Sequence, residues 1–303
     1  MNMNEKYNYA AIDIGGTNTR FAIVKDAKIT YKVKFATDSQ DYKSTLNKII
    51  DLINEHSIDA IGLCIPGPAN YEKGMIFKSP NLPGWEHISI LDYFKEHSNL
   101  KKIVFENDAN VMALSNHFSY QQGEKDVTQF FTISTGFGAG LVINNQIYVG
   151  TTYQAQEIAR LPLGPEKEEG FHLSPYAAEL FASGTGIAIR YNKRSNKELN
   201  TKEVFDLYRE NDYLATKIIN QGIETLAKVI ATTASLLNPT LIAFGGSVSQ
   251  YEPWFVKKAI EQAKEFCFES QYKAIRFVFD QNGDDSALIG LYYLIKSKSE
   301  NEK

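Results

Sequence analysis

Short apolar runs along the chain stop abruptly at glycines and small polar residues and then resume, and this punctuation predicts the elements. "YAAIDI", "RFAIV" and "KITYKVKF" are β-branched and aromatic runs broken by "GGTN" and "KDAK", which predicts a three-stranded meander. In "DYKSTLNKIIDLINEHS" the apolar positions Leu46, Ile49, Ile50 and Ile53 recur at helical spacing. "DAIGLCIPG" reads as a short strand ending on Pro66 and Gly67, "ISILDYFKEH" as a helix, "KKIVFEN" as a strand and "ANVMALSNHF" as a helix. Strands followed by this alternation predict an α/β layer.

From about residue 127 the opening pattern returns. "TQFFTISTGFGAGLVINNQIYVG" again has strand, glycine turn, strand, tight "NN" turn and strand. Setting "AAIDIGGT" against "FTISTGFG" aligns Ile12 with Ile133, Asp13 with Ser134 and Gly15 with Gly136. A long helix over "DYLATKIINQGIETLAKVIATTASLLN" carries Ile219, Ile223, Leu226 and Ile230 on one stripe; Pro239 stops it, and "TLIAFGG" is a strand running into two glycines. "LGPEKEEGFH" reads as a surface loop and "SGTGIAI" as a helix start or packing feature. The expected division is residues 1–117 and 118–303, two related α/β domains, with a helix near 285–300 available to pack back on the first.

Composition narrows the function classes. A chain of 303 residues is long for a single core, which agrees with two domains. A net charge of −4 without a basic stripe argues against nucleic acid as a partner. Cys64 and Cys267 lie far apart in apolar stretches and read as buried reduced thiols. The polar start "MNMNEKYNYA" lacks the apolar core of a signal peptide, and no apolar run approaches the ~18 residues that span a bilayer, so the expected location is cytoplasmic, with no membrane partner.

The candidate chemistry begins at the glycines. One "GGTN" turn is accounted for by hairpin geometry. Three glycine turns, each after an apolar strand ("DIGGTNT", "STGFGAG", "FGGSVS"), point instead to backbone N–H groups cradling phosphate, with hydroxyls from Thr17, Thr19, Ser134, Thr135 and Ser247. Asp13 cannot face phosphate bare, and Mg²⁺ or its hydration shell between them would reconcile the charges. No P-loop is present, and "GFGAG" has the wrong spacing and flanks for a dinucleotide fingerprint. In "FENDAN", Glu106, Asn107, Asp108 and Asn110 crowd a strand end; helix capping by Asn107 or Asp108 and a grip on vicinal hydroxyls both account for them. Glu157, in "YQAQEIARLPLG", reads equally well as a solvated acid.

Taken together, "AAIDIGGTNTRFAIV", "IPGPANYEKGMIFKSPNLPGW", "ENDAN", "STGFGAGLVINNQIYVG", "QEIARLPLG" and "AFGGSVS" resemble the ROK family of sugar kinases and related repressors over nearly the whole chain. The resemblance implies two related actin-like (RNase H-like) α/β domains around a central cleft holding ATP and sugar. It implies that Asp13, Gly15, Gly16 and Thr17 form the first phosphate motif, with Asp13 meeting Mg²⁺ through water. Thr135, Gly136, Gly138 and Gly140 match the second motif, and Gly245 and Gly246 the adenosine side. It places Gly67, Asn81, Asn107, Glu157 and Glu179 at the sugar, and makes Asp108 both a sugar contact and the catalytic base. Where many members follow the first sugar-binding acid with Gly-His, Ala159 and Arg160 stand here, so Arg160 enters the substrate set. "FHLSPYAAE" replaces the family's zinc-binding cysteine cluster, and His172 alone cannot make a zinc site, so none is expected.

The implied activity is ATP- and Mg²⁺-dependent phosphorylation of a hexose-type sugar at a primary hydroxyl such as O6, with "SPNLPGW" leaning toward glucokinase. N-acetylmannosamine kinase, fructokinase and β-glucoside kinase are the alternatives. A non-catalytic sugar sensor of the same fold is the alternative of another class. The family's repressors carry a helix-turn-helix ahead of the kinase-like part, for which a first strand near Tyr7 leaves no room. A homodimer follows by family analogy.

Overall fold

The opening runs fold as an antiparallel meander of β1 (Tyr9–Ile14), β2 (Asn18–Lys25) and β3 (Lys28–Ala36). The computed structural model describes residues 7–79, 81–168 and 173–300. α1 (Tyr42–Glu55) starts where the Asp41 carboxylate accepts the Lys43 N–H at 2.9 Å, and it buries Leu46, Ile49, Ile50 and Ile53. β4 (Ala60–Cys64) then pairs in parallel with β1. A small antiparallel sheet follows, β5 (Ala69–Asn70), β6 (Met75–Ile76) and β7 (Ile88–Ser89), whose two-residue strands carry no readable alternation. α2 (Ile90–His97) and β8 (Lys102–Glu106), parallel to β4, complete the order β3-β2-β1-β4-β8. Ala10, Ile12 and Ile14 of β1 pack in one cluster with Leu46, Ile49 and Ile53 of α1 and with Ile90 and Phe94 of α2.

After α3 (Asp108–Ser119), β9 (Val127–Ile133), β10 (Phe137–Ile143) and β11 (Gln146–Ile147) repeat the meander. Asn144 and Asn145 both take positive φ in its tight turn, as a two-residue hairpin loop requires. The helices α4 (Ala178–Ala182), α5 (Gly184–Ser195), α6 (Thr201–Arg209) and α7 (Tyr213–Leu237) come next, and α7 ends on a left-handed Asn238 just before Pro239. β12 (Leu241–Gly245), α8 (Ser247–Tyr251), α9 (Pro253–Ala263), α10 (Glu269–Ala274) and β13 (Arg276–Phe279) give the order β11-β10-β9-β12-β13. The second sheet thus repeats the first: three antiparallel strands, then two added in parallel. This is the RNase H-like, actin-like α/β pattern.

The chain divides into two units, one of residues up to Ser115 with those from Asp284 onward, the other Asn116–Gly283. α11 (Ser286–Glu300) belongs to the first unit and packs on β1, β4 and β8. Gly62 admits it closely: a Cβ there would lie 2.9 Å from Ile295 Cγ1. Tyr292 meets Tyr9 edge-on at 5.8 Å between centroids. No described helix is long and apolar enough to cross a membrane.

Candidate functional site

In the first unit, strand register brings the chemistry together. Arg20, Asp13, Cys64 and Glu106 are successive partners across β2, β1, β4 and β8, and paired residues share a sheet face. Cys64 and Glu106 end their parallel strands and Asp13 stands one residue from the end of β1, the edge at which open α/β sheets bind ligands. Arg20 donates from Nε to Asp13 Oδ2 at 3.0 Å and from its Nη2 to the same oxygen, while its Nη1 reaches the Asp284 carbonyl. Asp13 Oδ1 has no hydrogen-bond partner among the described residues. Sequence reasoning missed Arg20, although counting back from the β1–β2 turn places it opposite Asp13. Burial, with Asp13, Asp108 and Glu106 nearby, pushes the Cys64 thiol well above its ordinary range, so it stays protonated. Cys267 is only half-buried, against expectation.

The Gly15–Gly16–Thr17 turn is closed by the Gly15 N–H on the Asn18 carbonyl at 3.0 Å. A Cβ on Gly16 would stand 2.5 Å from Asn81 Cβ, so the missing side chain lets Asn81 pack on this turn. Thr17 is exposed. Thr19 is not available as expected: its hydroxyl is buried on Thr37 Oγ1 at 2.9 Å, because strand alternation turns it inward.

At the end of β8 a single residue, Asn107, separates strand from helix. Asn107 Oδ1 accepts the Ala109 N–H at 2.9 Å, so Asn107 caps α3. Asp108 is the first helical residue; its Oδ1 also accepts from Ala109, at 2.8 Å, and the residue is exposed. Protein crowding around Asp108 nevertheless raises its carboxyl above the ordinary range, and the negative charge of Asp13 adds to this, against the opposing Arg20. The Tyr71 hydroxyl, absent from the sequence reading, hydrogen-bonds Asn107; burial is the main cause of its being pushed up to about 12. It lies 3.4 Å from where a Cβ on Gly67 would be. Gly67, Tyr71, Asn107 and Asp108 therefore share one neighbourhood.

In the second unit, the Ser134 and Ser247 hydroxyls meet at 3.0 Å and join the turn after β9 to the turn after β12. Thr135 is exposed, and its carbonyl accepts the Thr185 N–H at 3.2 Å; that of Ser134 accepts Gly184 N–H at 2.8 Å, so α5 starts against this turn. Glu179 Oε2 accepts the Phe137 N–H at 2.8 Å and would stand 3.0 Å from a Cβ on Gly136. Gly138 and Gly140 lie within β10 rather than in the turn, and the Gly140 carbonyl is held by Gln129 Nε2 at 3.0 Å. Gly246 has φ +85°, and a Cβ there would come 2.5 Å from the Ile133 carbonyl oxygen, so only glycine fits. Gly245 abuts Phe130: a Cβ there would lie 2.7 Å from the ring. Glu157 precedes and Arg160 ends a single 3₁₀ turn, Ile158–Arg160, with Arg160 Nε 4.0 Å from Glu157 Oε2 and both side chains well exposed. The Ala178 N–H on the Leu161 carbonyl, 2.8 Å, ties this segment to the helix that carries Glu179.

Among the described residues of the charged loop before α4, Pro165 and Lys167 are exposed, but one acid is not. Glu168 is 5% exposed and Arg190 1%. Arg190 lies over the Phe181 ring at 4.1 Å, with its Nε 3.3 Å from Glu168 Oε2 and its Nη2 3.2 Å from Glu166 Oε1. Arg194 Nη2 reaches Glu168 Oε2 at 2.6 Å. Removing one member of such a buried pair typically costs about 3–5 kcal/mol. His172 lies outside the described residues, and those described include no group of three or more His, Cys, Asp or Glu side chains placed to hold a metal.

The sequence pattern of the ROK family matches residues 9–298. A glucokinase of Halalkalibacterium halodurans is 27% identical over 97% of this chain and 96% of its own length. An N-acetyl-D-glucosamine kinase of Haemophilus influenzae is 26% identical over 80% of this chain and 85% of its own. The crystal structure of a ROK hexokinase from Thermus thermophilus superposes with a TM-score of 0.86 at 21% identity, covering 97% of this chain and 99% of that one.

Proposed function

We propose a function from one premise: this chain belongs to the ROK family. It acts as an ATP- and Mg²⁺-dependent sugar kinase that phosphorylates a hexose-type sugar at a primary hydroxyl such as O6, with glucose the first candidate. The observation that carries the reading is the division of labour at the start of α3. Asn107, just outside the helix, takes the capping role, while Asp108 shares the Ala109 N–H through Oδ1 alone and stays exposed for chemistry. Asp108 orients the sugar hydroxyl and accepts its proton as that oxygen attacks the γ-phosphorus, and the bond to ADP breaks. Asn107, Gly67, Asn81, Glu157 and Glu179 hold the remaining hydroxyls. Gly15, Gly16 and Thr17, with Thr135, Gly136, Gly245 and Gly246, receive the nucleotide; Gly138 and Gly140 support their turn from within β10.

The residues present fit magnesium: Mg²⁺ keeps much of its water and takes one or two carboxylates, and Asp13 offers Oδ1 while Arg20 occupies Oδ2. When bound, the ion offsets phosphate charge. We assign no zinc to the chain, and place it in the cytoplasm as a homodimer. The two relatives, named for glucose and for N-acetyl-D-glucosamine at nearly equal identity, make the sugar the open choice. ADP release measured over glucose, N-acetylglucosamine, N-acetylmannosamine, fructose and a β-glucoside tests the reading. Turnover with one of them supports it, and sugar binding without ADP release from any would make the chain a sensor.

Arg160 is proposed to shape that choice, because a guanidinium offers more donors and a longer reach than a histidine ring. Its contact with Glu157 at 4.0 Å is loose and solvated, so it can turn toward a ligand at little cost. Arg160→His is expected to change the ratio of kcat/KM values across the panel; an identical profile would refute the role.

A further inference from the structure

Glu106 is a buried carboxylate for which the proposed reaction has no use. It is the last residue of β8, 5% exposed, and its side chain turns back over Asn107. One oxygen, Oε1, accepts both the Asn107 backbone N–H and the Asn110 side-chain amide, each at 2.9 Å. A buried carboxylate is costly unless such donors meet it, and α3 already has its cap in Asn107. The acid is therefore more than is needed to start the helix.

We infer that Glu106 is a positioning residue, fixing the β8–α3 turn so that Asn107 and Asp108 face the sugar in one orientation. The inference rests on the reading of Asp108 as the base. Asp108 follows Asn107 directly, so any change in the Asn107 backbone angles swings the Asp108 carboxylate. The two bonds to Oε1 span the turn, one to its linking residue and one to the first turn of the helix, so strand end and helix cannot tilt independently. The Tyr71 hydroxyl and the Ala109 N–H restrain the Asn107 side chain from its other sides. Misplacement of a reacting group by about 1 Å can cost on the order of 10² in rate. Glu106 is not a second base, because it is buried and already committed to these two donors. Burial raises its carboxyl above the ordinary range, against the Asn110 and Asn107 bonds and the charge of Lys298 on α11, so an uncharged acceptor is tolerated at this position.

The test compares Glu106→Leu, which keeps the volume without an acceptor, with Glu106→Gln, which keeps an acceptor oxygen at the same reach. Both are made in the full chain beside Asp108→Asn. Glu106→Leu is expected to lower kcat per folded molecule roughly 10–10²-fold, with unchanged affinity for a non-hydrolysable ATP analogue, and Glu106→Gln to retain most of the turnover. Full kcat in Glu106→Leu, or equal losses in both variants, overturns the inference. If the leucine variant does not fold, Asn110→Ala removes one of the two bonds and must lower kcat at unchanged analogue affinity; an unaltered kcat overturns the inference equally. Full turnover in Asp108→Asn sinks the parent reading and this inference with it. An inactive Asp108→Asn beside a fully active Glu106→Leu sinks this inference alone.

Discussion

Asp108→Asn is expected to lower turnover by at least ~10²-fold while leaving the thermal midpoint no lower than that of the parent chain. The loss follows from basicity: the amide keeps the shape and one acceptor but cannot take the sugar proton, and general bases contribute roughly 10²–10⁴-fold. The stability half follows from the raised carboxyl. A native state that binds the Asp108 proton more tightly than the unfolded chain loses stability as pH rises through the native value, and above it the full cost of the ionised group remains. Asparagine removes that cost. The helix N-terminus works in the other direction, favouring an anion by about 0.3–1 kcal/mol, but the net upward shift says that crowding and Asp13 outweigh it. The same sign sets the pH profile. The base works only when ionised, so kcat/KM should fall with acid through a limb lying above the ordinary aspartate range. ADP release against pH, with calorimetry of both proteins, checks each half. Wild-type turnover in the variant, or a limb at the ordinary aspartate value, would contradict the assignment.

Asp13→Ala should slow turnover on the order of 10²–10³-fold and raise the Mg²⁺ concentration needed for half-maximal rate. Arg20 complicates this prediction usefully. If Asp13 served only to neutralise Arg20, Arg20→Met would be as harmful as Asp13→Ala, since either change breaks the same pair. If Asp13 also meets the hydrated ion, the alanine variant should be far slower and should alone shift the Mg²⁺ titration. A Mg²⁺ dependence unchanged in Asp13→Ala would rule out the ion-binding role.

What the sequence disclosed depended on how far apart the partners lie along the chain. The meanders were legible because alternation and glycine turns are local, and so were Asn107 and Asp108 at the end of an apolar strand. The choice between them as cap was not: both side chains accept the Ala109 N–H, and only the boundary of α3 puts Asn107 before the helix and Asp108 inside it. Thr19 was misread because turn composition is visible while the inward face of β2 is set only by pairing. Tyr71 reaches Asn107 from a hairpin too short to leave a pattern, and Glu168 meets Arg190 from 22 residues away, so both needed the fold before they acquired meaning.

The return of α11 to the first unit has a consequence for synthesis. On the ribosome, β1, β4 and β8 emerge early, but the helix that covers Gly62 and Tyr9 appears only after the whole of the second unit. The Asn116–Gly283 unit is contiguous and has all its strands before then. Domains generally fold as units, the earlier ones first; here the order should invert, with the second unit acquiring protease resistance while the first still waits for its cover. Stalled nascent chains ending just before Asp284, probed by limited proteolysis, would reveal this, and a protected first sheet in those chains would disprove it.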